Sequence, residues 1–101
     1  MKIFNPHKLV LFKKQDCAPC LNAAMALDKV LEKHPEFRAH VSQLWQENHS
    51  SLVASYSMDL FPTLLILDNN GLEITRKVGA KELSEDFWWK TLTTIHHKEK
   101  T

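Results

Sequence analysis

Long apolar runs are missing from this sequence. None approaches the roughly 18 residues that a membrane span needs. Near the start the longest is Leu9-Val10-Leu11-Phe12, too short for the core of a secretory signal, and no cleavage site follows it. An excess of one charge is missing as well: 13 Lys and Arg face 12 Asp and Glu, a formal charge of +1. That balance gives no electrostatic reason to expect nucleic acid or an anionic membrane as a partner. Repeats, linkers and low-complexity tracts are also absent. The 101 residues read as one compact domain, 1–101, with a short lead at 1–7 and a frayed tail at 98–101. With no signal core and no span, the chain is expected to be cytoplasmic.

Cysteine is scarce. There are two, Cys17 and Cys20, in a single C-x-x-C. A small secreted scaffold spreads several cysteines to staple distant segments. A bridge across so short a loop constrains the unfolded chain little, which makes stapling a weak explanation. A structural zinc site needs about four ligands. No second C-x-x-C exists, and the six histidines are scattered apart from the adjacent His96 and His97. The expectation is therefore redox chemistry, with no metal; an iron–sulfur centre shared between two chains is the residual alternative.

Elements follow from the hydrophobic pattern. Lys8 to Phe12 reads as a buried strand, and Lys13 to Asp16 as a loop. Pro19 suits a first helical turn, where its missing N–H costs nothing. Leu21 to Lys33 is rich in helix formers, and His34-Pro35 ends that run. From Phe37 a period of two predicts a strand through Trp45. A loop and a short helix around Leu52-Val53-Ala54 follow. Leu60 to Thr63 leads into Leu64 to Leu67, which reads as another buried strand. Asp68-Asn69-Asn70-Gly71 reads as a hairpin turn and Leu72 to Val78 as the return strand. A terminal helix is predicted over Lys81 to His97. Among the tryptophans, Trp88 is expected in the core, Trp45 in the core or a groove wall, and Trp89 partly buried. Strands alternating with helices define an α/β domain, with the first two strands parallel and the last two antiparallel.

The placement of the C-x-x-C carries the chemistry. At a strand-to-helix junction, Cys17 meets unpaired N–H groups and the positive end of the helix dipole. These favour the thiolate, the form that attacks disulfides. Cys20, one turn on, is positioned to resolve a mixed disulfide on Cys17, and Pro19 stiffens the turn. Phe61-Pro62-Thr63 is the second element. A proline directly before a buried strand is a candidate cis peptide, the ordinary alternative being a trans proline at an edge. A cis bond would turn the Phe61 backbone towards the cysteines and offer it to an extended substrate.

Together, the C-x-P-C, Tyr56, the stretch Phe61 to Leu67, the Asn70-Gly71 turn and Val78-Gly79-Ala80 resemble the thioredoxin family in order and spacing. The resemblance covers most of the chain from about Lys8. It implies a thioredoxin-like fold: a mixed four-stranded sheet flanked by helices, lacking the usual first strand and helix. It implies that Cys17 and Cys20 are the redox pair, that Pro62 is a cis-proline facing them, and that Gly79 lines the substrate groove beside the Phe61 backbone. For Gly79 the plainer reading is a bulge that ends the hairpin. Two further departures concern tuning. Asp16 and Ala18 stand where the family has W-C-G, placing a negative charge beside Cys17 and removing an aromatic docking surface. The family's buried aspartate aligns with Leu11 and its lysine neighbour with Gln43, or with Ser42 one residue away. Losing both charges together is coherent, since either alone would be buried unpaired.

The resulting expectation is an enzyme, a protein-disulfide reductase cycling Cys17 and Cys20 between dithiol and disulfide. It needs no cofactor beyond that disulfide. Its partners would be disulfide-containing proteins and, as reductant, a thioredoxin-reductase-type enzyme or glutathione. Two alternatives remain at this point. One is a protein-binding module in which redox activity is secondary. The other is glutaredoxin-like use of glutathione, which Val78-Gly79-Ala80 fits less well than a paired-glycine site would.

Overall fold

A computed structural model describes residues 8–100 of the chain. The lead Met1–His7 and Thr101 lie outside the described residues. Strand β1 spans Lys8–Lys13 and helix α1 Ala18–Lys33. A 3-10 helix over Pro35–His40 leads into β2, Val41–Trp45. A second one, Gln46–Asn48, precedes the short helix α2, Ser50–Ser55. Then come β3, Thr63–Leu67, and β4, Glu73–Val78. A last 3-10 turn, Ala80–Glu82, precedes helix α3, Glu85–Lys100.

The four strands form one mixed sheet in the order β2-β1-β3-β4. β1 runs parallel to β2, with Leu11 opposite Gln43 and Lys13 opposite Trp45. It runs antiparallel to β3, and β3 runs antiparallel to β4. This is a mixed four-stranded α/β sheet flanked by helices, the arrangement the sequence resemblance implies.

Alternation along the strands separates two cores. On one face Leu9, Leu11, Leu64 and Ile66 meet α1 and α3 through Ala23, Leu27, Val30, Leu31, Trp88, Leu92 and Ile95. The α1 residues fall at helical spacing, so one stripe of the helix is buried while the opposite stripe faces solvent. On the other face Phe12 and Leu65 pack with Met58, Val53 and Tyr56, a smaller cluster under α2 and its flanking loop. Trp88 is fully buried, as its spacing predicts, and Trp89 stacks on His34 with 41% of its surface left exposed.

Three segments differ from the sequence expectation. Residues 37–40 form the end of a 3-10 helix and not the start of a strand. Pro35 opens that helix, and Phe37 drops its ring into the α1–α3 core. Its alternation with Ala39 and Val41 therefore does not report a strand. The terminal helix starts at Glu85 and not at Lys81, because the Ser84 hydroxyl caps it by accepting the Phe87 N–H at 3.1 Å. It then runs on through residues 98–100, where a frayed tail is expected from sequence. Finally, Lys13 closes β1 and does not belong to the loop that follows.

The β3–β4 turn is built by Asp68. Its carboxylate accepts the N–H groups of Asn70 at 2.8 Å and Leu72 at 3.0 Å, the local bonding that makes Asp a turn former. Gly71 supplies the positive φ of 82° that the turn needs. No described helix is long and apolar enough to cross a membrane.

Candidate active site

β1 delivers the chain to the top of α1, and Cys17 is the residue at that junction. It is the N-cap of α1, with extended backbone angles of φ −131° and ψ 100°. Its Sγ accepts the backbone N–H of Cys20 at 3.1 Å. Sulfur thus takes the place that a Ser or Asp oxygen usually fills, satisfying one of the orphan donors of the first turn. Ala18 and Pro19 are the first two helical residues, both exposed, and Pro19 spends no N–H there. Cys20 is buried at 2% exposure, while Cys17 is partly accessible. The two are joined in a disulfide with a Cα–Cα distance of 5.2 Å.

The Phe61 carbonyl oxygen lies 3.8 Å from Cys17 Sγ. The Phe61–Pro62 peptide bond is cis, and Pro62 is fully buried. The Pro62 carbonyl accepts the Gly79 N–H at 2.9 Å, tying the end of β4 to this loop. Gly79 has φ 91° and ψ 154°, a conformation that side-chain-bearing residues rarely adopt. A Cβ there would meet nothing within 4 Å, so backbone conformation and not crowding calls for glycine. Cys17, Cys20 and the Phe61 backbone are therefore brought together directly. Pro62 and Gly79 stand one step behind, joined by their own hydrogen bond.

The remaining sequence candidates fall around this centre. Asp16 is exposed and left-handed, with φ 54°. Asp and Asn tolerate that region better than other side-chain-bearing residues, which is a conformational reason for Asp at 16 independent of its charge. Leu11 is fully buried in the core under α1. Gln43 sits opposite it in the register and accepts a hydrogen bond from Lys13 Nζ at 3.1 Å. These two register partners are therefore a leucine and a neutral amide.

Two residues here, Glu47 and Leu21, have no functional role in the sequence reading, while Trp45 is expected in the core or a groove wall. Glu47 holds the active-site loop: its carboxylate accepts the Gln15 N–H at 3.0 Å. That backbone bond is the main cause holding the Glu47 carboxyl below the usual carboxylate range. Trp45 and Leu21 enter the lining of a pocket of about 520 Å³ that also takes in Lys13, Lys14, Asp16, Cys17 and Cys20. The signal for Trp45 was present in the register, since a strand parallel to β1 and ending at 45 puts Trp45 beside Lys13. The signal for Glu47 was not, because an irregular turn fixes its direction.

The sequence matches the family model for thioredoxin over residues 2–87. The chain belongs to the thioredoxin family. No curated protein matches it in sequence. Solved thioredoxins match it in structure. The Malassezia sympodialis thioredoxin Mala s 13 superposes with a TM-score of 0.66 at 18% identity, over 92% of this chain and 79% of its own. The Fasciola hepatica thioredoxin gives 0.63 at 27% identity, over 92% and 83%. Chloroplastic thioredoxin z gives 0.66 at 22%, over 88% and 77%. Family membership with a close cysteine pair points to thiol–disulfide oxidoreductase chemistry, with the disulfide as its redox centre.

Proposed function

We propose that this thioredoxin-family chain reduces disulfides in protein substrates, using Cys17 as nucleophile and Cys20 as resolving thiol. The observation that carries the reading is the asymmetry of the pair: an accessible Cys17 Sγ held as a helix N-cap, above a buried Cys20. In the reduced chain the Cys17 thiolate keeps the Cys20 N–H and the helix terminus as its stabilisers. It attacks one sulfur of the substrate disulfide, forming a mixed disulfide and releasing the other sulfur as a thiolate. Cys20 then loses its proton and attacks Cys17 Sγ, which frees the second substrate thiol and leaves the Cys17–Cys20 disulfide. Two electrons pass to the substrate. A thioredoxin-reductase-type enzyme or glutathione returns them.

In this reading the Phe61 backbone and Gly79 border the groove that takes the extended substrate, and Pro62 sets the direction of the Phe61 carbonyl. Asp16, Ala18, Pro19 and Leu11 tune the pair. Function as a reductant suits a reducing compartment, and we place the chain in the cytoplasm. The test is insulin reduction with dithiothreitol as terminal reductant. Turnover that disappears in Cys17→Ser supports the reading, and wild-type turnover no faster than dithiothreitol alone overturns it.

One observation favours a second reading, a protein-binding module with secondary redox activity. Among the described residues no carboxylate is buried to take a proton from Cys20, and the register partners Leu11 and Gln43 carry none. Replacing both cysteines by serine separates the two readings: a module keeps its biological role, a reductase loses it.

A further inference from the structure

The exposed side of α1 next to the cysteines is apolar where an amphipathic helix is ordinarily polar. Leu21 is 61% exposed and Met25, one turn further along the same stripe, is 50% exposed. Across from Leu21 stands Trp45, 42% exposed at the end of β2. Leu21, Ala24, Ala18 and Trp45 line the pocket of about 520 Å³ that reaches both cysteines. Phe61, Pro62 and Gly79 are not among its lining residues, so it is separate from the groove on the Pro62 side.

We propose that this pocket is a specificity site that accepts a large apolar side chain, aromatic or long aliphatic, carried by the protein substrate next to its reactive cysteine. The proposal rests on the disulfide-reductase reading above. Three observations support it. First, the chemistry fixes the occupant: a substrate cysteine bonded to Cys17 Sγ places its sequence neighbour about 3.8 Å of chain away, over a pocket that Cys17 itself lines. Second, the aromatic wall is pre-set. Lys13 Nζ lies 4.5 Å from the Trp45 ring centroid and donates to Gln43 at 3.1 Å, so the ring is clamped from one side before any substrate arrives. Third, the rest of the lining is mostly apolar, through Ala18, Leu21, Ala24 and Trp45, and its two lysines, Lys13 and Lys14, against the single carboxylate of Asp16 disfavour a cationic guest. With Asp16 in place of the family's aromatic residue, Trp45 supplies an aromatic surface from the neighbouring strand. A pocket of this size holds a side chain together with part of its backbone.

Two disulfide peptides identical except for the residue beside cysteine, Phe in one and Ser in the other, test this. The readout is the ratio of their kcat/KM values, from which any general loss of activity cancels. Wild type is expected to favour the Phe peptide by about tenfold or more. Trp45→Ala is expected to bring the ratio close to one, Trp45→Phe to restore most of it, and Trp89→Ala, which removes an equally exposed tryptophan stacked on His34 at the far end of α1, to leave it intact. A wild-type ratio near one with both peptides reduced overturns the pocket and leaves the reductase reading standing. Failure to reduce either peptide overturns both. An equal fall in the ratio for Trp45→Ala and Trp89→Ala overturns the pocket, as does a wild-type dimer, seen by sedimentation, that Trp45→Ala dissociates.

Discussion

Cys17 Sγ accepts the Cys20 backbone N–H at 3.1 Å, which makes one cysteine the cap of the helix that buries the other. The same bond that starts α1 also prepares the sulfur for negative charge. In the reduced chain the Cys17 thiol is expected to titrate below the ordinary value of about 8.5. Its rate of alkylation by iodoacetamide against pH measures this. Cys20→Ser is expected to keep the attack and to accumulate a mixed disulfide with a protein substrate, visible by mass spectrometry. Cys17→Ser is expected to form none.

Asp16 separates conformation from charge. Asp16→Asn keeps a residue that tolerates φ 54° and removes the anion beside Cys17. The Cys17 titration is expected to move further down in this variant, with stability unchanged within about 0.5 kcal/mol. Asp16→Val forces a β-branched residue into the left-handed region and is expected to cost about 1–2 kcal/mol in urea unfolding.

A buried acid at position 11 is expected to harm this chain. Leu11 is fully buried with Gln43 opposite, so Leu11→Asp removes core packing and adds a carboxylate without a lysine partner. A loss of about 3 kcal/mol or more is expected from urea melts, against about 2–5 kcal/mol for Leu11→Ala. Leu11→Asp with Gln43→Lys is expected to recover part of that loss; no recovery would contradict the view that the two positions were exchanged together.

Acid sensitivity has a named source at the site. The Glu47 carboxyl is held below its usual range by the Gln15 N–H, and that of Glu73 by Arg76. A lowered folded-state value means the stabilisation is present above the unfolded value of about 4.3 and is lost as pH falls through the folded value. Glu47→Gln is expected to melt less differently between pH 6 and pH 3 than wild type does, with part of the acid effect remaining through Glu73. Hydrogen exchange at Gln15 is expected to be faster in the variant at pH 6.

The features readable from sequence were those set by local chemistry. The Cys17–Pro19 junction, the Asp68-to-Gly71 turn and the apolar run of β3 each announce themselves within a few residues. Residues 37–40 misled because Phe37 and Val41 are both apolar for a tertiary reason, packing against the α1–α3 core from a 3-10 helix and a strand in succession. The start of α3 was legible in Ser84 followed by Glu85 and Asp86, a cap and an acidic first turn, but the apolar Leu83 drew the helix back to Lys81. The pocket beside the cysteines depends on two chain segments meeting, β2 through Trp45 and α1 through Leu21, and no local pattern encodes that meeting.

The central claim is that Cys17 and Cys20 act as a two-electron donor to protein disulfides. Mixing fully reduced chain with insulin in the absence of other reductant, and counting thiols on both proteins, tests it most directly. The account predicts up to one insulin disulfide reduced per chain, with Cys17 and Cys20 recovered as an internal disulfide. A chain that keeps both thiols while insulin stays intact would contradict it.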